Sequence, residues 1–452
     1  MARIDSLEKE VITLRRENIS LRKENSELRK ENSELRLRLK EKGHKKDSSN
    51  SSVPPSKDEN RFRKNQSLRE KGKRPNGGQK GHKGTTLEFI SNPDKIIDHI
   101  PKHCSSCQEE LKSDLTLVDQ RQIIDIPPIQ AKVYQHNYYE RLCNCCGLRN
   151  SLQTDNLPKA KVYYGPKIEA MIGYLNVRQY LSINRIAEMM NQVFGVPLSE
   201  GTVVNKLNSL SSKCKTEYDQ IIHQLFACNW VGSDETSFKM NGKKHWLWTW
   251  QNDKFTYLFA SQNRASSTVS KVLDGITTLF AALVHDCYPS HFSIKAKIHQ
   301  ICLAHLLREL NYLIEKRNST WPYKFKKALL KAIRLHKKDD YQPNSKAVAA
   351  IKKEVFELID EPVEKEKGAG LRNFMKRMKK YKDYILPFLD YPEIPPDNNG
   401  SERSIRNVKV KLKIAGQFKT SKGANSFAII RSIIDTALKQ KQDPLQKLMS
   451  FT

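Results

Sequence analysis

Apolar residues recur every seven positions across residues 4–39, with Leu7, Leu14, Leu21, Leu28 and Leu35 at one seam position and Ile4, Val11, Asn18, Asn25, Asn32 and Leu39 at the other. Such a stripe cannot be hidden by a lone helix, and leucine at d with asparagine at a favours a parallel two-stranded coiled coil, because each buried amide needs its counterpart. The pattern stops at residue 43, and to residue 86 the chain is Ser, Asn, Lys, Gly and Pro, too polar to bury a core and read as a tether. Residues 123–129 and 132–142 alternate or run apolar like strands. Residues 168–175 and 183–193 carry a helical period, broken at Gly195-Val-Pro197. A new helix then starts with Ser199 as its cap and Val203, Val204, Leu207 and Leu210 facing inward.

Beyond residue 225 the period shortens to that of strands. Segments 229–234, 245–250 and 255–260, separated by turns at Asn241-Gly242 and Asn252-Asp253, predict a three-stranded meander. A helix over 266–273 and a fourth strand over 278–285 follow, so that Asp234 and Asp286 each end a strand. A basic, helix-like stretch runs from 316 to 384. Asp397 or Asn398 caps a further helix that carries Glu402 in its first turns.

Composition adds a partner. With 452 residues the chain spans about three units, and 79 Lys and Arg against 50 Asp and Glu, a net charge of +29, favour a polyanion, nucleic acid ahead of an acidic membrane surface. The N-terminus is too charged for a signal peptide and no apolar run is long enough to span a bilayer, which predicts a soluble, cytoplasmic protein without membrane partners. Nine cysteines, an odd number, argue against a disulfide framework.

Cys104-Ser-Ser-Cys107 and Cys143-Asn-Cys-Cys146 are two pairs with two-residue gaps, the spacing that lets each turn aim two thiolates at one tetrahedral zinc. This predicts one structural zinc ion on two knuckles joined by a β-ribbon, with Cys145 spare and able to stand in for a neighbour. Unligated buried cysteines are the plain alternative. The helix–turn–helix pattern would expose Thr202, Asn205 and Lys206 to bases or phosphates, as an ordinary helical hairpin equally could to solvent. Asp234, Asp286 and Glu402 are types that could converge on two Mg²⁺ ions over a phosphate. Taken singly, each also fits a local role: a strand-end cap, a turn before Pro289, a partner for Arg406.

Val231-Gly-Ser-Asp234-Glu-Thr236, His285-Asp286-Cys-Tyr288, Gln300-Ile-Cys-Leu-Ala-His305-Leu-Leu-Arg308 and Asp397-Asn-Asn-Gly-Ser-Glu402-Arg403 follow the polar linker and the cysteine pairs in one order. In these blocks the chain resembles transposases of the insertion-sequence sixty-six family. The resemblance implies a multidomain α/β protein: a leucine zipper over 1–43, a basic linker over 44–92, a zinc ribbon over 93–160 and a helical DNA-binding region over 161–226. It further implies an RNase H-like mixed-sheet catalytic core over 227–315 and 391–452, with a helical insertion over 316–390. The implied activity is DDE-class cleavage and strand transfer, with Asp234 (rather than Glu235), Asp286 and Glu402 holding two Mg or Mn ions and Arg403 among the DNA contacts. Implied partners are transposon ends, target DNA, a second copy or higher synaptic assembly, and accessory proteins of the element, on a bacterial nucleoid. Cys302 and His305 match a family motif and are read as structural support. Residues 408–416 depart from the Gly-Arg-Lys-Asn sequence common in the family. A catalytically inactive, domesticated DNA-binding protein is the alternative.

Overall fold

The computed structural model describes residues 17, 21, 24–28, 31, 87–151, 160–273, 280–316, 320–362 and 368–452. The described heptad positions are helical, with the seam residues Leu21 and Leu28 about half exposed. The rest of the zipper and the tether up to residue 86 lie outside the described residues. The remaining chain forms two compact units, residues 69–161 with 184–200, and residues 162–183 with 201–452.

In the smaller unit β1 (Glu140–Leu142) and β2 (Arg149–Ser151) form an antiparallel hairpin, Glu140 opposite Ser151. The β-ribbon expected over 123–129 and 132–142 is otherwise not there: Ile123 is 92% and Val133 93% exposed, and no ladder forms. Alternation supplies an apolar face, and a strand holds only where another face covers it.

The larger unit opens with α1 (Pro166–Gly173), which starts on a proline whose missing N–H costs nothing at that position, and continues as a π-helical turn over Tyr174–Arg178. Buried cations take up carbonyls around this wider turn: Lys411 Nζ donates to Asn176 O and Leu181 O, and Arg431 Nη1 to Val177 O. Next along the chain are α2 (Ile183–Phe194), which from Asn184 on belongs to the smaller unit, and then α3 (Glu200–Lys213) and α4 (Lys215–Phe226) of the larger one. On α3, Val203, Leu207 and Leu210 are buried as expected, whereas Val204 is 41% exposed.

The sheet contains β3 (Trp230–Met240), β4 (Lys243–Gln251), β5 (Thr256–Ser261), β6 (Phe280–His285) and β7 (Ala296–Ile301), in the order β5-β4-β3-β6-β7. The β3-β4-β5 meander is antiparallel, and β6 and β7 join parallel to β3. Positive φ at Asn241 and Gly242 makes the two-residue hairpin turn between β3 and β4. Strand β3 runs six residues past Asp234, because Thr236 and Phe238 keep the buried alternation going, so Asp234 is mid-strand and not at a strand end. Asp286 does directly follow β6.

Helix α5 (Ser266–Val272) precedes β6, and α6 (Pro289–Phe292) lies between β6 and β7. Then come α7 (Leu303–Lys316), α8 (Thr320–His336), α9 (Lys346–Asp360) and α10 (Gly368–Lys380). These helices share one core with the sheet: Phe325, Leu329 and Phe374 belong to the same buried cluster as Ala282, Val284 and Ile301. The insertion is thus packed on the sheet's own core.

The chain ends with α11 (Asn399–Ala415), α12 (Ser421–Lys439) and α13 (Pro444–Met449). Helix α12 covers the sheet edge at β5: Thr436 Oγ1 and Ser432 Oγ, one helical turn apart, accept the N–H groups of Thr256 at 3.1 Å and Leu258 at 2.9 Å. Side-chain hydroxyls here do what a further strand would do. No described helix is long and apolar enough to cross a membrane.

Candidate active site and cysteine knuckles

Successive residues of a strand point to opposite faces, so Asp234 and Glu235 cannot serve the same site. The face of Gly232 and Asp234 is the one on which α11 begins. A Cβ built on Gly232 would lie 2.5 Å from Asn398 Oδ1 and 2.9 Å from Ser401 Oγ, and one on Gly400 would lie 2.7 Å from Gln251 Oε1. At both positions a methyl group would have to displace the side-chain ends of Gln251, Asn398 or Ser401. The docking is polar and nearly sealed: Asn398 Nδ2 donates to Ser233 O at 2.5 Å, Ser401 Oγ to Asn398 Oδ1 at 2.6 Å, and Asn398 N to Cys302 Sγ at 3.1 Å. Lys439 Nζ donates to Gln251 Oε1, Asn252 O and Phe255 O at 2.6–2.9 Å, and Gln251 in turn donates to Ser401. Cys302 is therefore structural support, as expected. Of the two expected caps, Asn398 holds the N-cap position without a side-chain cap bond, and Asp397 Oδ1 accepts the Asn399 N–H at 3.0 Å.

This frame sets Glu402 opposite Asp234. Burial pushes the Asp234 carboxyl well above the usual range, and the charges of Glu235, Asp286 and Glu402 push the same way. Burial also opposes ionisation of Asp286, but the hydrogen bond and charge of His291, with His305 and the Tyr288 N–H, outweigh it and hold the group below the usual range. Glu402 is likewise lowered against its burial, by His305, Arg308 and Arg406. Arg308 on α7 pairs directly with Glu402 Oε1, His305 Nε2 is 3.7 Å away and Arg406 Nη2 is 3.7 Å from Oε2. His305 is thus more than support: it lies in the field of both Asp286 and Glu402.

Asp234, Asp286 and Glu402 offer an all-oxygen donor set, which fits hard divalent cations. Their oxygens do not form one group within 4.8 Å of one another; among the described residues the group that does is His285, Asp286 and His291.

Glu235 faces the other way. Its side chain is 1% exposed, ion-paired with Arg264, and its Oε2 lies 3.3 Å from His291 Nε2. Neither Arg264 nor His291 stands out in the sequence. The available signal was Pro289, which opens a helix three residues after Asp286 and returns His291 to it. Arg308 had a plainer one, lying three residues past His305 on an amphipathic helix.

The cysteine pairs occupy two knuckles with one hydrogen-bond scheme. Cys104 N donates to Glu109 O at 2.9 Å and Gln108 N to Cys104 O at 3.0 Å; Cys143 N donates to Leu148 O at 2.8 Å and Gly147 N to Cys143 O at 2.9 Å. Gln108 (φ 60°) and Gly147 (φ 71°) take the same left-handed corner. Overlaying the two makes Cys146 the counterpart of Cys107 and Cys145 the counterpart of Ser106. N–H groups of Cys107 and Ser106 lower the Cys104 thiol, and those of Cys146 and Cys145 lower Cys143. Each knuckle suits a thiolate-bound cation, although the four sulphur atoms do not gather within 4.8 Å of one another.

On α3, Asn205 is exposed and Thr202 partly so, but Lys206 turns inward: its Nζ donates to Tyr164 O at 3.0 Å and sits 3.4 Å from the buried Glu169. The expectation of Lys206 as an outward DNA contact is corrected by this pair, since a carboxylate buried at 3% exposure needs its cation more than the solvent face does. Arg403 is exposed on α11.

The family described as "Transposase IS66 family" matches residues 161–426, "zinc-finger binding domain of transposase IS66" matches residues 101–147, and "Family of unknown function (DUF6444)" matches residues 7–88. Among solved structures, the HTLV-2 integrase catalytic core domain in complex with magnesium is 20% identical, covering 31% of this chain and 90% of that one at a TM-score of 0.14. The catalytic domain of Mos1 mariner transposase is 14% identical, covering 38% and 90% at 0.13. No curated protein matches the chain.

Proposed function

The chain belongs to the transposase IS66 family, and from that premise we propose that it is a DDE-class transposase with an RNase H-like core, which cleaves DNA at the ends of its element and joins the freed 3′-hydroxyl to target DNA. The observation that supports the reading is the polar docking of the start of α11, the helix of Glu402, on the strand of Asp234 through Gly232, Ser233 and Asn398, with Asp286 directly after the neighbouring strand β6. These three would hold two ions of the magnesium class. Such ions, when bound, activate water and stabilise the attacking and leaving oxygens of an in-line displacement.

The chain's own residues do the rest. Arg308 and Arg406 balance Glu402 until the site is loaded. The exposed stripe of α11 carries Arg403, Arg406 and Lys413, and the β3–β4 hairpin tip adds Lys239, Lys243 and Lys244. No Asp or Glu interrupts residues 403–434 or 236–252, so this side offers phosphates an unopposed field that restores what residues 408–416 lack in family sequence. Cys104, Cys107, Cys143 and Cys146 would hold one structural zinc, and Thr202 and Asn205 remain candidate DNA contacts. The heptads would pair two copies on two ends.

The test is an assay with cognate ends and either Mg²⁺ or Mn²⁺. Nicked ends bearing a 3′-hydroxyl, and their joining to target, are expected. Tight end binding with no cleavage under either ion would replace the reading with that of a DNA-binding protein.

A further inference from the structure

Behind β3 lies a buried charge chain that the proposed reaction does not use. Arg264 pairs with Glu235 Oε1, its guanidinium stacked 3.3 Å over the Tyr288 ring and 4.9 Å from that of Trp246. Glu235 Oε2 lies 3.3 Å from His291 Nε2, and His291 Nδ1 lies 3.1 Å from Asp286 Oδ1. Both side chains of the Glu235–His291 pair are at most 1% exposed, and Glu235 Oε2, His291 Nε2 and Arg264 Nε have no partner in hydrogen-bonding geometry. Glu235 and His291 have been taken out of water at considerable cost, between the partly exposed Arg264 and Asp286, each 28% exposed.

The chain ends on one oxygen of the second carboxylate. Asp286 Oδ1 receives both His291 Nδ1 and the Tyr288 N–H at 2.9 Å, so the carboxylate is pinned by Oδ1 and Oδ2 carries neither bond. Metal-binding carboxylates are commonly oriented by such an outer partner. We propose that His291, itself oriented by Glu235, whose charge Arg264 balances, is a positioning residue that fixes the Asp286 carboxylate for its cation. This rests on Asp286 being a metal ligand.

His291 could instead bind a metal itself, since His285, Asp286 and His291 offer ligand atoms within 4.8 Å of one another. His285, however, has both nitrogens occupied: Nδ1 meets Asp286 O and Nε2 meets His299 Nδ1 at 3.0 Å. That leaves His291 with one carboxylate on each side, the arrangement of an orienting group.

Binding of Mn²⁺ to the full chain, read by electron paramagnetic resonance of the free ion, separates these roles without relying on activity. His291→Gln is expected to weaken Mn²⁺ binding roughly 10- to 100-fold with unchanged stoichiometry. Glu235→Gln, closer in shape, should weaken it less, and the double variant should bind no more weakly than His291→Gln alone, because Glu235 acts through His291. Unchanged affinity in both single variants would overturn the proposal, as would additive losses in the double variant. Loss of a bound Zn²⁺ beyond that of the knuckles on His291→Gln would make His291 a ligand and overturn it too. Asp286→Asn is the check on the premise: if it binds Mn²⁺ as well as the unaltered chain, the active-site reading fails, whatever His291 does.

Discussion

The two units treat the same kind of sequence differently. Alternation over 245–250 in the larger unit becomes β4, with Trp248 and Trp250 wholly buried, while alternation over 123–129 in the smaller unit leaves Ile123 and Ile126 92% and 78% exposed and forms no strand. The first segment meets β3, β5 and the aromatic rings of Phe226 and Phe259. The second meets nothing comparable, and order in its unit resides instead in two six-residue knuckles closed by their own backbone, the β1–β2 hairpin and the helix α2. One unit is held by a sheet-and-helix core, the cysteine-bearing part of the other by local turns.

The largest effect should come from the packed unit's chemistry. Asp234→Asn, Asp286→Asn and Glu402→Gln should each reduce strand cleavage on the order of 10³-fold or more, because each removes one negative charge from a site that must hold dications. Electrophoretic binding to element ends should barely change. Glu235→Gln belongs elsewhere: opposite in orientation, it should keep measurable cleavage, down about tenfold, through its hold on His291. If Glu235→Gln is as inactive as Asp234→Asn, the two faces of β3 have been assigned wrongly.

A second effect should be confined to the knuckles. Cys146→Ser should abolish zinc retention and unfold residues around 101–151, since ligation supplies folding free energy in so small a unit. Cys145→Ser should retain the metal, because Cys145 overlays Ser106. Zinc content by mass spectrometry and proteolytic cleavage of that unit, with the larger unit's thermal transition unmoved, would check both. Zinc retained in Cys146→Ser and lost in Cys145→Ser would exchange their roles.

The smallest effect separates the units by pH. Burial pushes the Lys439 ammonium down to about 7, against the pull of Asp435. The unfolded chain, with an ordinary lysine near 10.4, then binds more protons between about pH 7 and 10, so this group makes the larger unit more stable as pH rises through that window, by roughly 1–3 kcal/mol. Lys439→Met should flatten that part of a stability–pH profile measured by urea unfolding. A slope that persists unchanged would assign it to other groups.

Much of the larger unit was legible because its signals are local. The meander follows from alternation and the Asn241-Gly242 turn, and Asp286 follows an apolar run that ends where the strand ends. Asp234 was misjudged as a strand end because Thr236 and Phe238 extend β3 only when Phe418, from a distant segment, packs on Phe238. Lys206 looked outward on helical spacing until Glu169, 37 residues earlier, drew it in. Arg264 and His291 were invisible for the same reason, their roles being set by which face of β3 they meet. Cysteine spacing located the knuckles, but only the shared backbone scheme distinguishes Cys145 from Cys146.

The absent side chains of Gly232 and Gly400 have a consequence for descent. Neither glycine touches a substrate, yet together they determine how near the helix of Glu402 comes to the strand of Asp234, with Gln251 filling the space that two methyl groups would need. A lineage that exchanged either glycine would have to re-seat Gln251 or Asn398 to keep that approach. These four positions should therefore vary together across relatives or not at all, forming a heritable unit as constrained as the carboxylates whose separation it sets.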